Sequence, residues 1–171
     1  MKITKEELIN NFANSLVQDQ ELKTTISKKR KYNIEKSIPQ ELKEKHFNDG
    51  WELIRDNKST SRIKKLKPHN VYFEDKVWVV LAKMGFQLMN ADANLKLPYS
   101  RDYSIPGRQI DVFAADEETI LVIECKSSED LKKKSLQTII NDFATIKKGS
   151  LPFLKDFFKV QKKVKFILAT N

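Results

Sequence analysis

Glu124 and Lys126 stand two positions apart at the end of an apolar run, Thr119-Ile120-Leu121-Val122-Ile123. In a strand, residues i and i+2 project from the same face, so the carboxylate and the ammonium point together while Cys125 points away. Asp111 lies on the preceding stretch, where a hairpin turning at Asp116-Glu117-Glu118 can bring it alongside. An Asp and a Glu on neighbouring strands are oxygen ligands suited to a hard divalent cation such as Mg2+ or Mn2+. A lysine beside that cation can orient or deprotonate a water, or offset charge developing on a phosphate. The plainer arrangement is a strand-end salt bridge between Glu124 and Lys126 on a solvated face.

Other reactive side chains form no comparable constellation. Cys125 reads as a small core residue, because no base is evident beside it. His46 and His69 are too few and too far apart in the chain for a zinc site. Trp51 and Trp78 fall on apolar helix faces and read as core.

The elements that must position Asp111, Glu124 and Lys126 follow from periodicity. Residues 5–18 carry a helical stripe of Leu8, Ile9, Phe12, Leu16 and Val17, and Thr4 with Glu7 forms a capping box. Residues 23–37 read as a basic linker or exposed edge. A second helix is expected from Ser37, with Pro39 in its first turn, through Leu42, Phe47, Trp51, Leu53 and Ile54. Residues 57–70 are polar and basic and mark the boundary between an N-terminal helical segment, 1–69, and a main domain, 70–171. Asn70 is expected to cap a helix with the stripe Phe73, Val77, Val80, Leu81 and Met84, ended by Gly85. Residues 86–89 read as a short strand, and 90–106 as irregular with a strand fragment at 95–97. Then come a strand at 108–115, with Ile110, Val112 and Ala114 on one face, and the apolar strand 119–126, expected at a sheet centre. Helical spacing returns over 130–148 in Leu131, Leu136, Ile139, Ile140, Phe143 and Ile146. A short helix over 152–159 and a buried strand over 164–169 complete an α/β layer.

Asp111 followed after twelve residues by Glu124-Cys125-Lys126 resembles the PD-(D/E)XK nuclease superfamily, in particular its Holliday-junction-resolvase and Mrr-type members. Gly107-Arg108-Gln109-Ile110-Asp111 is similar to the glycine-led approach to the motif's Asp, with Ile110 where the usual Pro stands. The resemblance covers about residues 70–171. It implies a restriction-endonuclease-like αβββαβ core, a central mixed sheet flanked by helices, here preceded by the small helical segment. It further implies a metal held by Asp111, Glu124 and the Cys125 backbone carbonyl. Lys126 would be catalytic, Glu74 on the first core helix would join the site, and Gln137 would support it.

Charge agrees with a nucleic-acid partner. The chain has 171 residues, 32 basic against 23 acidic, for a net charge of +9. The excess is concentrated in residues 1–70, which hold 16 Lys/Arg and 10 Asp/Glu. Such a chain is attracted to polyanions. Lys28, Lys29, Arg30, Arg62, Lys64, Lys65 and Arg108 are the expected DNA contacts. The longest apolar run, 77–82, is far short of the ~20 residues that cross a bilayer, so no membrane partner is expected. The first residues show no apolar signal segment and the one cysteine has no disulfide partner, so a cytoplasmic location is expected. The chain stops just after a strand, so a further domain is expected beyond Asn171, and a homodimer is compatible with the pattern. The expected function is a Mg-dependent DNA endonuclease in bacterial defence, DNA modification or repair. The alternatives are a non-catalytic nucleic-acid-binding or regulatory module that keeps the fold, and a basic helical domain that serves protein partners.

Overall fold

A computed structural model describes residues 4–98, 107–128, 135–159 and 162–171. Helix α1 (Lys5–Asn14) begins at Thr4, whose side chain accepts from the Glu7 amide while Glu7 reaches back to the Thr4 amide, the expected capping box. The helix stops before Leu16 and Val17, which instead form strand β1 (Leu16–Val17). Helix α2 (Asp19–Lys29) follows, then β2 (Asn33–Pro39), a 3-10 turn over Gln40–Leu42 and α3 (Lys43–Asn48). Strands β3 (Glu52–Asp56) and β4 (Thr60–Leu66) precede α4 (His69–Lys83) and β5 (Leu88–Asn90). Next come β6 (Lys96–Leu97), β7 (Arg108–Gln109), β8 (Val112–Ala115) and β9 (Thr119–Lys126). Helix α5 (Leu136–Phe158) and strand β10 (Lys163–Thr170) complete the order.

Five strands form a mixed sheet in the order β1-β5-β8-β9-β10. Neighbours pair antiparallel except β9 and β10, which run parallel and are joined through α5. Parallel neighbours need such a crossover. One sheet face packs Phe113, Ala115, Ile120 and Val122 against Leu8 and Phe12 of α1 and Ile146, Phe153 and Leu154 of α5. The opposite face packs Val112, Ala114, Leu121, Ile123 and Cys125 against Trp78, Val79 and Leu81 of α4, with Leu22 and Ile26 of α2 at its margin. Both faces of β8 and β9 are covered, which is why these strands read as continuous apolar runs. The molecule is therefore a mixed α/β fold with a mixed sheet flanked by helices.

Several expectations need correction. Residues 19–29 are helical rather than a linker. The expected helix from Ser37 to Ile54 is two strands around a short helical stretch. The polar tract 57–70 contains β4, the middle strand of a separate antiparallel sheet, β2-β4-β3. Only Ile38, Ser61 and Ile63 of this sheet are buried, so too few apolar residues alternate there to betray strands. Residues 5–17 enter the main core: the Phe12 ring meets Phe113, Phe153 and Phe157 edge-on at 5.4, 5.2 and 4.8 Å. Helix α4 is capped at Pro68, two residues before the expected Asn70 cap, and Gly85 at φ +100° ends it. Its buried face is Asp75, Trp78, Val79 and Leu81, while Val80 and Met84 are exposed.

The strand expected over 108–115 is broken at Asp111, so Ile110 packs with Phe113 and Ala115 rather than with Val112 and Ala114. Gly107 sits close where β7 meets β6: a Cβ there would lie 3.0 Å from Lys96 Cβ and 3.2 Å from the Leu97 carbonyl oxygen, so a larger residue would need the β6 backbone to give. The two helices expected over 130–159 are one, continuous through Pro152, with Leu136 and Ile140 exposed; Leu131 lies outside the described residues. Strand β10 is a half-exposed edge strand, not a buried one.

Candidate active site

The hairpin β8–β9 sets the geometry. Val112 pairs with Ile123, so Asp111, one residue earlier, arrives beside Glu124 as the ladder opens. The Cys125 amide donates to Asp111 Oδ2 at 2.7 Å, which ties the carboxylate to the backbone between Glu124 and Lys126. Glu124 and Lys126 share a face as alternation requires, with Lys126 Nζ 2.8 Å from Glu124 Oε1 and side-chain exposures of 24% and 16% for Lys126 and Glu124. The salt bridge anticipated as the plain alternative is present, but it is largely buried rather than on a solvated face.

Glu74 projects from the second turn of α4 into the same electrostatic neighbourhood. Burial, reinforced by the negative charges of Asp111 and Asp75, pushes its carboxyl up to about 7, against the partial relief of Lys126 and Lys29. Cys125 is buried in the α4-side core, and burial together with Asp111, Glu74 and Glu124 raises its thiol far above the ordinary value. It stays a neutral thiol, in keeping with a core role. Gln137 is exposed in the first turn of α5 and donates to Asn141 Oδ1 at 3.0 Å.

Sequence reasoning missed Asn90. This fully buried residue ends β5, where the ladder with β8 has closed at Met89↔Ala114. Its amide replaces strand pairing: Oδ1 accepts from the Phe113 amide at 2.9 Å, and Nδ2 donates to the Asp111 carbonyl at 3.1 Å and the Asp92 carbonyl at 2.8 Å. Trp78 Nε1 in turn donates to the Asn90 carbonyl at 2.9 Å. Asn90 therefore fixes both sides of the break that aims Asp111. An Asn directly after a short apolar strand was the only available signal, and it reads equally as a turn residue.

The expected DNA contacts divide by environment. Lys28 and Arg30 are exposed. Lys29 is half-buried, 2.7 Å from Asp75 Oδ1 and 5.3 Å from the centre of the Trp78 ring, so its charge is committed inside the fold. Arg62 pairs with Glu35 at 2.7 Å, Lys64 with Glu52 at 3.3 Å and Arg108 with Asp142 at 3.5 Å. Lys65 donates to the Asp49 carbonyl at 2.5 Å. Trp78 is fully buried, as expected for core, whereas Trp51, just before β3, is half-buried beneath Lys36 Nζ, 4.2 Å from the ring centre.

The donor chemistry around Asp111 is that of hard oxygens carrying excess negative charge. Among the described residues, no three His, Cys, Asp or Glu side chains converge as a ready-made cage. Among the described residues, no helix is long and apolar enough to cross a membrane. Comparison with protein-family models, curated proteins and solved structures finds no match to this chain.

Proposed function

We propose that the chain is a divalent-metal-dependent DNA nuclease module of the PD-(D/E)XK type, hydrolysing phosphodiester bonds in bacterial defence, DNA modification or repair. One observation carries the reading: Asp111 is anchored on the backbone amide of Cys125, the residue between Glu124 and Lys126, with Glu74 in reach of its charge. With β6 and β7 set apart in their own two-stranded sheet, the order α4, β5, β8, β9, α5, β10 around the main sheet supports it, since it follows the αβββαβ succession implied by the resemblance.

Asp111 and Glu124 would hold Mg2+ or Mn2+, with the Cys125 carbonyl as a further oxygen donor. The bound cation would supply charge neutralisation and polarisation at a phosphate. The chain's own residues do the rest. The Cys125 amide and Asn90 keep Asp111 from swinging away. Lys126, released from Glu124, donates to a water or to a phosphate oxygen as negative charge grows on it. Glu74, poised near neutrality, can accept or return a proton at physiological pH.

Incubation of supercoiled plasmid with Mg2+ or Mn2+, against an EDTA control, tests the proposal. Metal-dependent nicking or linearisation is expected, and Asp111→Ala should lose both cleavage and the metal-induced rise in melting temperature. A second reading, a non-catalytic nucleic-acid-binding or regulatory module, is favoured by the closed Glu124–Lys126 pair. Wild-type protein that binds DNA but leaves plasmid, single-stranded and branched DNA intact at every metal concentration would establish that second reading.

A further inference from the structure

A cleft of about 620 Å³ opens between α2, the β2–β4 edge and the first turns of α4. Five cations line it, Lys28, Lys29, Lys31, Arg62 and Lys67, against the carboxylates of Glu35, Asp75 and Asp92. Two of those carboxylates are each shared by two cations. Asp75 lies 2.7 Å from both Lys29 and Lys67, whose side chains are only 18% and 6% exposed, so this trio is part of the wall. Glu35 lies 3.0 Å from Lys31 and 2.7 Å from Arg62, which are about half exposed and can turn toward an incoming anion. Exposed Lys28 adds a further positive charge.

An aromatic stack stands beside the cleft. Tyr32, between the lining residues Lys31 and Asn33, packs on Tyr72 with ring centroids 5.0 Å apart and planes 29° apart, yet remains 65% exposed. Tyr72 adjoins the lining residue Val71, and Lys76 lies 4.5 Å from the centre of its ring. A basic groove with an open aromatic face is the combination that holds unpaired nucleotides, because a duplex hides its base faces and a single strand offers them. The cleft also adjoins the candidate active site. Asp75 neighbours Glu74 in the chain, and the Asn90 amide that holds the Asp111 carbonyl holds that of the lining residue Asp92 as well.

We propose that this cleft binds an unpaired DNA strand, with phosphates on Lys28, Lys31 and Arg62 and a base stacked on Tyr32, and delivers it to the Asp111–Glu124–Lys126 end of the sheet. The proposal rests on the DNA-nuclease reading above and names the substrate form that site takes.

Binding is measured by fluorescence anisotropy in EDTA, using the full chain, a labelled oligothymidylate of about twelve nucleotides, within the usual site size, and a duplex with both ends closed by hairpins. The single strand should bind more tightly than the closed duplex. Tyr32→Ala should weaken single-strand binding by ~5- to 100-fold, the range for one stacked base, with little change for the duplex. Tyr32→Phe should restore it, and Lys28→Glu should weaken both. Equal affinity for the two probes, no binding of either, or a Tyr32→Ala variant that binds the strand like wild type overturns the proposal. Plasmid cleavage in Mg2+ is scored separately. Cleavage without a strand preference removes the cleft and leaves the nuclease reading, whereas Tyr32-dependent strand binding without cleavage does the reverse.

Discussion

Removing the ammonium of Lys126 tests chemistry and stability in one variant. Lys126→Met keeps much of the side-chain volume, but it strips Glu124 of a partner 2.8 Å away in a site where both side chains are mostly buried. A modest fall in melting temperature is expected, since a carboxylate left without its cation in such a place is unfavourable. Cleavage, assayed well below that melting temperature, should fall ~100-fold or more, the usual scale for a positioned proton-transfer group. Unchanged cleavage would remove Lys126 from the chemistry and leave it as half of an ion pair.

Glu74 supplies a pH signature. Its folded-state value of about 7 lies above the ordinary 4.5, so the folded state holds this proton more tightly than the unfolded chain does. The contribution is therefore favourable below about pH 4.5 and is lost as pH rises toward 7, beyond which the ionised carboxyl disfavours the fold. Glu74→Gln cannot ionise, so its melting temperature relative to wild type should rise between pH 5 and pH 8. A constant difference across that range, followed by scanning calorimetry, would show that burial and the neighbouring carboxylates do not raise the Glu74 carboxyl.

At the scale of elements, the break between β7 and β8 is what turns Asp111 out of the ladder, and Asn90 holds that break. Asn90→Leu keeps the volume and leaves the buried Phe113 amide and the Asp111 carbonyl without their partner. Each such loss costs about 1–3 kcal/mol, so denaturant unfolding should show a destabilisation of ~2 kcal/mol or more. Mg2+ affinity, measured by calorimetry on protein still folded, should drop along with it. A destabilised variant with wild-type metal affinity would make Asn90 a purely structural residue.

At the scale of the molecule, a net charge of +9 predicts DNA affinity that falls steeply with salt. The contributing cations are distinguishable by environment. Lys28→Glu should lower affinity similarly for unrelated sequences and leave the melting temperature unchanged, because Lys28 is exposed. Lys29→Glu should instead destabilise the protein, since it places a third charge of like sign against Asp75 and Glu74. If both variants melt like wild type and bind equally weakly, then Lys29 belongs to the DNA surface despite its pairing.

What was legible in the sequence was local. The capping box at Thr4, the uninterrupted apolar strand ending in Glu124-Cys125-Lys126, the acidic turn at Asp116 and the alternation that sets Glu124 and Lys126 on one face each depend on neighbours a few residues apart. The mixed α/β layer followed from the succession of those elements. The tertiary structure decided what depends on distant partners. Leu16 and Val17 leave a helical pattern because Met89 and Asn90 offer an open strand edge. The tract 33–66 becomes a sheet because Glu35 meets Lys64 and Lys36 meets Ile63 across it, pairings invisible to periodicity in a lysine-rich segment. Lys29 leaves the surface because Asp75, 46 residues on, is buried beside it. Asp111 points where it does because Asn90, 21 residues earlier, bonds its carbonyl. Helix and strand propensities are short-range and are printed in the chain. The desolvation of a charge and the satisfaction of a buried amide are settled only when remote segments meet.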